Sequence, residues 1–149
     1  VKVITELREA FATLINAQVW EYDEPFTATT DYVPIKDLKS DELFVSVLPG
    51  TSTTREGSPR QRQKWDRSIT VQIAKTARRA DRFQIDHVVD FAEQVVEFCA
   101  DQSNESVTKS IQLPCGITLR RMEVELIPVD PNNIEKTVVS NITVSFMEV

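Results

Sequence analysis

Acidic side chains at helical spacing are the first candidates for chemistry in this chain. Asp86, Asp90, Glu93, Glu97 and Asp101 recur at three- and four-residue intervals, which puts them on one face of a helix. Paired carboxylates can exchange protons with a substrate. On the polar face of a helix they more often form a solvated surface, or meet a basic partner whose charge fixes register more than affinity. A basic counterpart exists. Between Arg55 and Arg67, the residues Arg55, Arg60, Arg62, Lys64 and Arg67 are opposed only by Glu56 and Asp66, a local excess of +3 in a chain of formal charge −6. Arg55, Arg60, Arg62 and Lys64 are therefore candidates for a contact between subunits, and Asp86, Asp90, Glu93 and Glu97 for the acidic stripe that meets them. The plainer reading of the basic run is a solvated hairpin tip.

Other constellations are incomplete. His87 is the single histidine, so a Ser/His/Asp triad would have to use it. It falls on the flank of the same helix beside Phe91, where a structural or solvated role is the commoner one. A metal-dependent nuclease needs an Asp and a Glu-x-Lys on adjacent strands to hold Mg²⁺ and activate water. The run Asp130-Pro-Asn-Asn-Ile-Glu135-Lys136 has those residue types in the wrong order and spacing. No Cys-x-x-Cys pair is present. Cys99 falls on the apolar stripe of the helix and Cys115 in a Pro-Cys-Gly turn, so both read as unpaired. The sequence predicts no catalytic residue, no metal site and no cofactor.

The elements that position these residues centre on 65–101. Trp65 to Lys75 alternates apolar and polar side chains, the period of a half-buried strand. The period then changes. Ile85, Val88, Val89, Ala92, Val95, Val96 and Cys99 follow the spacing of a helix with one buried stripe, and Asp81 with Gln84 is a plausible capping pair at its start. From Asp81 to Asp101 this helix would be roughly 30 Å long. Phe91 and Phe98 fall just outside the stripe, either widening the core face or serving an oligomer contact.

A first helix spans 1–17, with Val3, Leu7, Ala10, Phe11, Leu14 and Ile15 on one face and Glu6, Arg8, Glu9 and Thr13 pointing elsewhere. Trp20 and Tyr22 suggest a short strand, and Tyr32-Val-Pro34-Ile35 is extended because proline disfavours helix before it. Leu43 to Leu48 is a central strand that Pro49-Gly50 is expected to end. Residues 49–64 then read as one long polar loop, and loops above about 12–15 residues are usually functional or disordered. Val107, Lys109, Ile111 and Leu113 alternate before the reversal at Pro114-Cys115-Gly116. In the next strand Ile117 and Leu119 are followed by Met122, Val124 and Leu126. That one-residue slip at Arg120-Arg121 marks a β-bulge. Pro128 to Asn133 is a turn, and Val138, Ile142, Val144 and Phe146 share one face of a last strand.

Together these predict an α+β fold: a mainly antiparallel sheet with two helices packed on one face and a long loop between two central strands. The opposite sheet face, with Ser68, Thr70, Gln72 and Thr118, is polar enough for solvent or a partner. The length of 149 residues suits one domain over 1–149, which typically buries about 68–70% of its unfolded surface. Acidic charge argues against a generic nucleic-acid binder. No apolar run approaches the ~20 residues that span a bilayer. With no signal peptide in view, the sequons at Asn104 and Asn141 read as chance matches, and the chain as cytosolic or assembled into a virion.

The order of elements, with Tyr32-Val-Pro34-Ile-Lys-Asp37-Leu38, Phe44-Val-Ser-Val-Leu-Pro49, the Arg-bearing loop, Ile69-Thr-Val-Gln-Ile-Ala-Lys75 and Val89-Asp-Phe-Ala-Glu-Gln-Val95, resembles tail terminator (tail completion) proteins of long-tailed bacteriophages. The resemblance covers most of the chain as a pattern of elements and contains no signature motif. It implies a structural subunit of a hexameric ring at the head-proximal end of the tail tube. Such a ring ends tube polymerisation, meets the head–tail connector or stopper protein, and lets genome DNA pass through its centre, with no catalysis, cofactor or membrane. The Arg-bearing loop would then reach a neighbour or the lumen, and a negative charge suits a conduit that must not hold DNA. The location implied is the virion tail or neck, after assembly in the host cytoplasm. The alternatives are another neck, connector or tail tube subunit, or, in a different class, a Mg-dependent nuclease-like or accessory intracellular domain.

Overall fold

A computed structural model of the chain describes residues 3–22, 26–32, 43–55, 64–76, 82–100, 110–129 and 137–149. The elements are α1 (Val3–Ala17), β1 (Ala28–Thr30), β2 (Phe44–Arg55), β3 (Lys64–Thr76), α2 (Arg82–Ala100), β4 (Ile111–Gln112), β5 (Thr118–Ile127) and β6 (Thr137–Glu148). The strands form one six-stranded sheet in the order β1-β2-β3-β6-β5-β4. All neighbours run antiparallel except β1 and β2, which are parallel. The architecture is the α+β one that the periodicities predict.

The pleat sorts the strands into two faces. Val47, Val71, Ile142 and Leu126 stand on one rung, and Ile69, Val144 and Val124 on another. Leu7, Phe11 and Ile15 of α1 and Val88, Phe91, Val95 and Cys99 of α2 join these strand residues in a single core cluster. Both helices therefore cover the same sheet face. Phe11 meets Phe146 edge to face at 5.6 Å, tying α1 to the middle of the sheet. Burying each such side chain contributes about 1.5–3 kcal/mol. Phe91 belongs wholly to this core, and Phe98 packs partly against it.

Several expectations are corrected. Pro49-Gly50 does not end β2. The strand continues to Arg55, with a register shift between Pro49 and Ser52. Here the Pro-Gly pair makes a bulge rather than a turn, because Gly50 lies against β3. A Cβ on Gly50 would stand 2.3 Å from Ser68 Oγ and 2.7 Å from Ser68 O. The Thr51 N–H donates to Ser68 Oγ at 2.8 Å, which fixes the bulge. Half of the expected loop over 49–64 is thus strand, 49–55 in β2 and Lys64 in β3, and 56–63 joins the two. Those eight residues, Arg60 and Arg62 among them, lie outside the described residues.

Arg8 does not point away from the core. It is 2% exposed; its Nε donates to Val47 O at 3.2 Å and its Nη2 to Asp31 O at 2.8 Å. A guanidinium with a long apolar stem can be buried where carbonyls take its donors. Trp20 and Tyr22 form no strand; their rings pack on α2 instead. In β5 the shift falls between Arg121 and Glu123, so Met122 is the extra residue and is 48% exposed, rather than sharing a face with Val124 and Leu126. On the far face, Ser68 and Gln72 are buried rather than open to solvent. Gln72 Nε2 donates to Asn141 Oδ1 at 3.4 Å.

The expectations for Val33 to Leu38, Asp81, Val107, Lys109, Asp130 to Asn133, Glu135 and Lys136 lie outside the described residues. At the β4–β5 reversal, Gly116 takes a φ of 91°, a conformation that glycine adopts without a Cβ clash. Its N–H donates to Leu113 O at 2.9 Å.

Candidate interaction surfaces

The first surface is the β2–β3 arm. Ser52, Thr53, Thr54 and Arg55 pair with Arg67, Asp66, Trp65 and Lys64 in register. Thr51 to Thr54 and Lys64 are exposed, while Trp65 is half-buried and β6 pairs β3 only as far as Asp66. Strands rise about 3.3 Å per residue, so the arm carries its tip away from the Thr76 end of β3, after which α2 begins. The structure places the backbone of Arg55 at the end of β2 and leaves Lys64 opposite it.

Arg67 leaves the basic group. Its Nη2 lies 3.3 Å from Glu148 Oε1, and its guanidinium sits 4.9 Å from the centre of the Trp65 ring. A buried pair of this kind is a structural feature. The local excess of positive charge therefore rests on the residues nearer the tip.

The second surface runs along α2. Asp86, Asp90, Glu93 and Glu97 are all exposed, and three of them line an open groove. Asp90, Glu93 and Glu97 share a recess of about 400 Å³ with Glu21, Tyr22, His87 and Gln94. Asp86 is not part of it. The segment after α1 supplies the other wall, and Gln94 joins the two. Its side-chain oxygen accepts the Glu21 N–H and its amide donates to Glu21 O, both at 3.1 Å.

Of the aromatic rings here, Tyr22 and His87 line the recess, and Trp20, Phe91 and Phe98 pack beside it. Trp20 meets Phe91 at 5.5 Å and Phe98 at 5.3 Å, edge to face, and its Nε1 donates to Ile15 O at 2.9 Å. Tyr22 stacks obliquely on His87 at 4.7 Å, and the exposed Phe83 lies parallel to His87 at 6.0 Å. His87 is thus held between two rings. A recess lined by four carboxylates together with Tyr22 and His87 suits a cationic side chain, above all arginine. Sequence reasoning identifies three of its acids but misses Glu21, Tyr22 and Gln94, because no periodicity links residues 21 and 94.

Among the described residues, no group of three His, Cys, Asp or Glu side chains could hold a metal ion, and no helix is long and apolar enough to cross a membrane. Both cysteines are free, Cys99 buried and Cys115 exposed. No protein-family model matches the chain, and no curated protein matches it in sequence.

Proposed function

We propose that this chain is a structural virion protein, a ring subunit that caps the head-proximal end of a phage tail tube and joins it to the head connector. The observation that carries the reading is the two-stranded β2–β3 arm, an exposed polar extension of a sheet whose other face is closed by two helices. The arm's outer residues Thr51 to Thr54 and Lys64 are exposed and available to a neighbour. The acidic groove on α2 offers a complementary surface for a basic segment. The overall charge of −6 lets DNA pass without being held, since the field of the ring repels phosphate. In this reading the partners are further copies of the chain, the tail tube protein and the connector or stopper protein.

The test is genetic. Deleting the gene should give tails of uncontrolled length that do not attach to heads, seen by electron microscopy, with restoration by the gene in trans. Tails of normal length that still carry heads would overturn the assignment.

A further inference from the structure

The sheet has, among the described residues, two open edges, and they match. Among the described residues, β1 covers the outer edge of β2 only through Val47, leaving Leu48 to Arg55 unpaired on that side. At the other end, β4 covers β5 only at Thr118 and Leu119, leaving Arg120 to Ile127 open. Each stretch contains one bulge, so the two have the same number of rungs. We infer that copies of this chain join edge to edge, the open edge of β2 in one copy adding to the open edge of β5 in the next. The inference rests on the ring reading above and names the contact that would build the ring.

Main-chain geometry supports this pairing. The Asp31 N–H donates to Val47 O at 3.2 Å, so the peptide groups of Val47 face outward. Val47, Pro49, Ser52 and Thr54 pair with Val71, Ile69, Arg67 and Trp65, which are spaced two apart on β3. All four residues on β2 therefore face outward. In β5, the Val149 N–H donates to Thr118 O at 3.1 Å, turning Thr118 toward β6 and Leu119 away from it. Leu119, Arg121, Val124 and Leu126 pair with β6 residues spaced two apart, so they face outward as well. An antiparallel match sets Ser52 against Val124 and Thr54 against Arg121, each pair exchanging both main-chain hydrogen bonds. Leu126 donates to Pro49 O, and Pro49 has no N–H to return.

Direction and level fit a rotation. β2 and β5 run in opposite senses across the sheet, so copies related by rotation about an axis tilted to the strands meet antiparallel, with their helices on the same side. Within one copy Pro49 stands level with Val124, through Ile69 and Val144. Setting Pro49 against Leu126 of the next copy offsets the copies by two residues, about 7 Å. That offset clears β1 on one side and β4 on the other, and a stagger is what closure of a sheet into a barrel requires. The contact is heterologous, and it closes a ring when the strands tilt to the ring axis so that the tilt absorbs this offset.

Beyond Pro49 and its bulge, the arm lacks the usual protection of an edge strand. Natural edges carry charge, proline or an inward-pointing polar group to prevent pairing. Thr51, Ser52, Thr53 and Thr54 are exposed and uncharged, and threonine favours strands. Thr53 would lie opposite Glu123 of the neighbouring copy, in a position without main-chain bonds where side chains approach closest.

The test uses the full chain with Thr53→Cys, Glu123→Cys and Cys115→Ser. Oxidation should produce a ladder of covalent oligomers on a non-reducing gel, while either new cysteine alone gives none. In sedimentation analysis, Thr54→Pro, which removes an outward N–H that β3 does not use, should raise the concentration for half-assembly at least about tenfold. Its thermal unfolding should stay that of a folded chain. A chain that is monomeric throughout, or oligomers that form equally with Thr54→Pro and yield no cross-link, would overturn the edge contact. A gene deletion that leaves tails normal would instead overturn the tail reading, while the cross-linked ladder would still establish the edge contact.

Discussion

Arg67 Nη2 lies 3.3 Å from Glu148 Oε1, with the two side chains only 13% and 2% exposed. The pleat puts both on the helix-covered face, since Arg67 precedes Ile69 by two residues on β3 and Glu148 follows Phe146 by two on β6. The pair closes the top of the core where β3, β6 and β5 meet, with Leu119 opposite Glu148 and Phe146 opposite Arg67. It also explains why a basic side chain within a positive run is not part of the arm's outer surface.

Removing one partner strands the other charge in a poorly solvated position. Glu148→Ala or Arg67→Ala should each lower the unfolding free energy by about 3–5 kcal/mol, whereas an Arg67→Met and Glu148→Leu double replacement should lose far less. Urea unfolding of the three variants measures this. Equal losses in the single and double variants would show that the pair contributes nothing specific.

How much of this was legible beforehand depends on where each signal sits. Stripes such as Val88, Ala92, Val95 and Cys99, or Ile69, Val71 and Ile73, are written into local spacing, and the two helices, the central strands and their shared core follow from them. The β5 bulge shows as a slip in the apolar phase. Arg8 leaves no such signal, because its partners are two carbonyls at the β1–β2 edge, distant in sequence. Gly50 misleads for a similar reason: Pro-Gly usually marks a turn, and only the pairing of β2 with β3 brings Ser68 beneath it. The groove divides the same way, with its acids on the helix readable and its second wall at Glu21 and Tyr22 invisible until tertiary packing joins them.

The cysteines should separate by reactivity. Burial pushes the Cys99 thiol up to about 12, and the thiolate is the reactive form. Iodoacetamide at pH 8 should alkylate Cys115 in the native chain and reach Cys99 only after unfolding, as read by intact mass. The linkage has a definite sign. Above its ordinary value near 9 the unfolded thiol ionises while the folded one does not, so this group's contribution to stability is complete below that pH and falls as the pH rises toward 12. Two native alkylations at equal rates would place Cys99 at the surface.

Gly50→Ala tests the bulge. The added methyl would stand 2.7 Å from the Ser68 carbonyl oxygen, and a strand backbone cannot rotate out of the way as a side chain can. Overpacking of this kind costs about 1–3 kcal/mol. Adding Ser68→Ala relieves the side-chain clash but not the backbone one, so it should recover only part of the loss in thermal unfolding. A fully stable Gly50→Ala variant would show that β2 leaves β3 at this point.

The last prediction concerns Arg8 and Tyr32. The Arg8 guanidinium lies 4.2 Å from the centre of the Tyr32 ring, and hydrogen bonding by Arg8, then by Thr5, holds the Tyr32 phenol below its usual value near 10. In a Tyr22→Phe background the remaining tyrosine is Tyr32, and its ultraviolet titration reports this directly. Arg8→Met should move that titration upward, because the cation that favours the phenolate is gone. It should also destabilise the fold. Val47 O keeps its bond from the Asp31 N–H, but the part-buried Asp31 O loses the Arg8 donor, which costs up to about 1 kcal/mol. The pH dependence follows the sign of the shift. Tyr32 adds stability above the unfolded phenol's pKa, and that contribution is lost as the pH falls through the lowered native value. An unchanged Tyr32 titration in Arg8→Met would show that the ring and the guanidinium do not interact in solution.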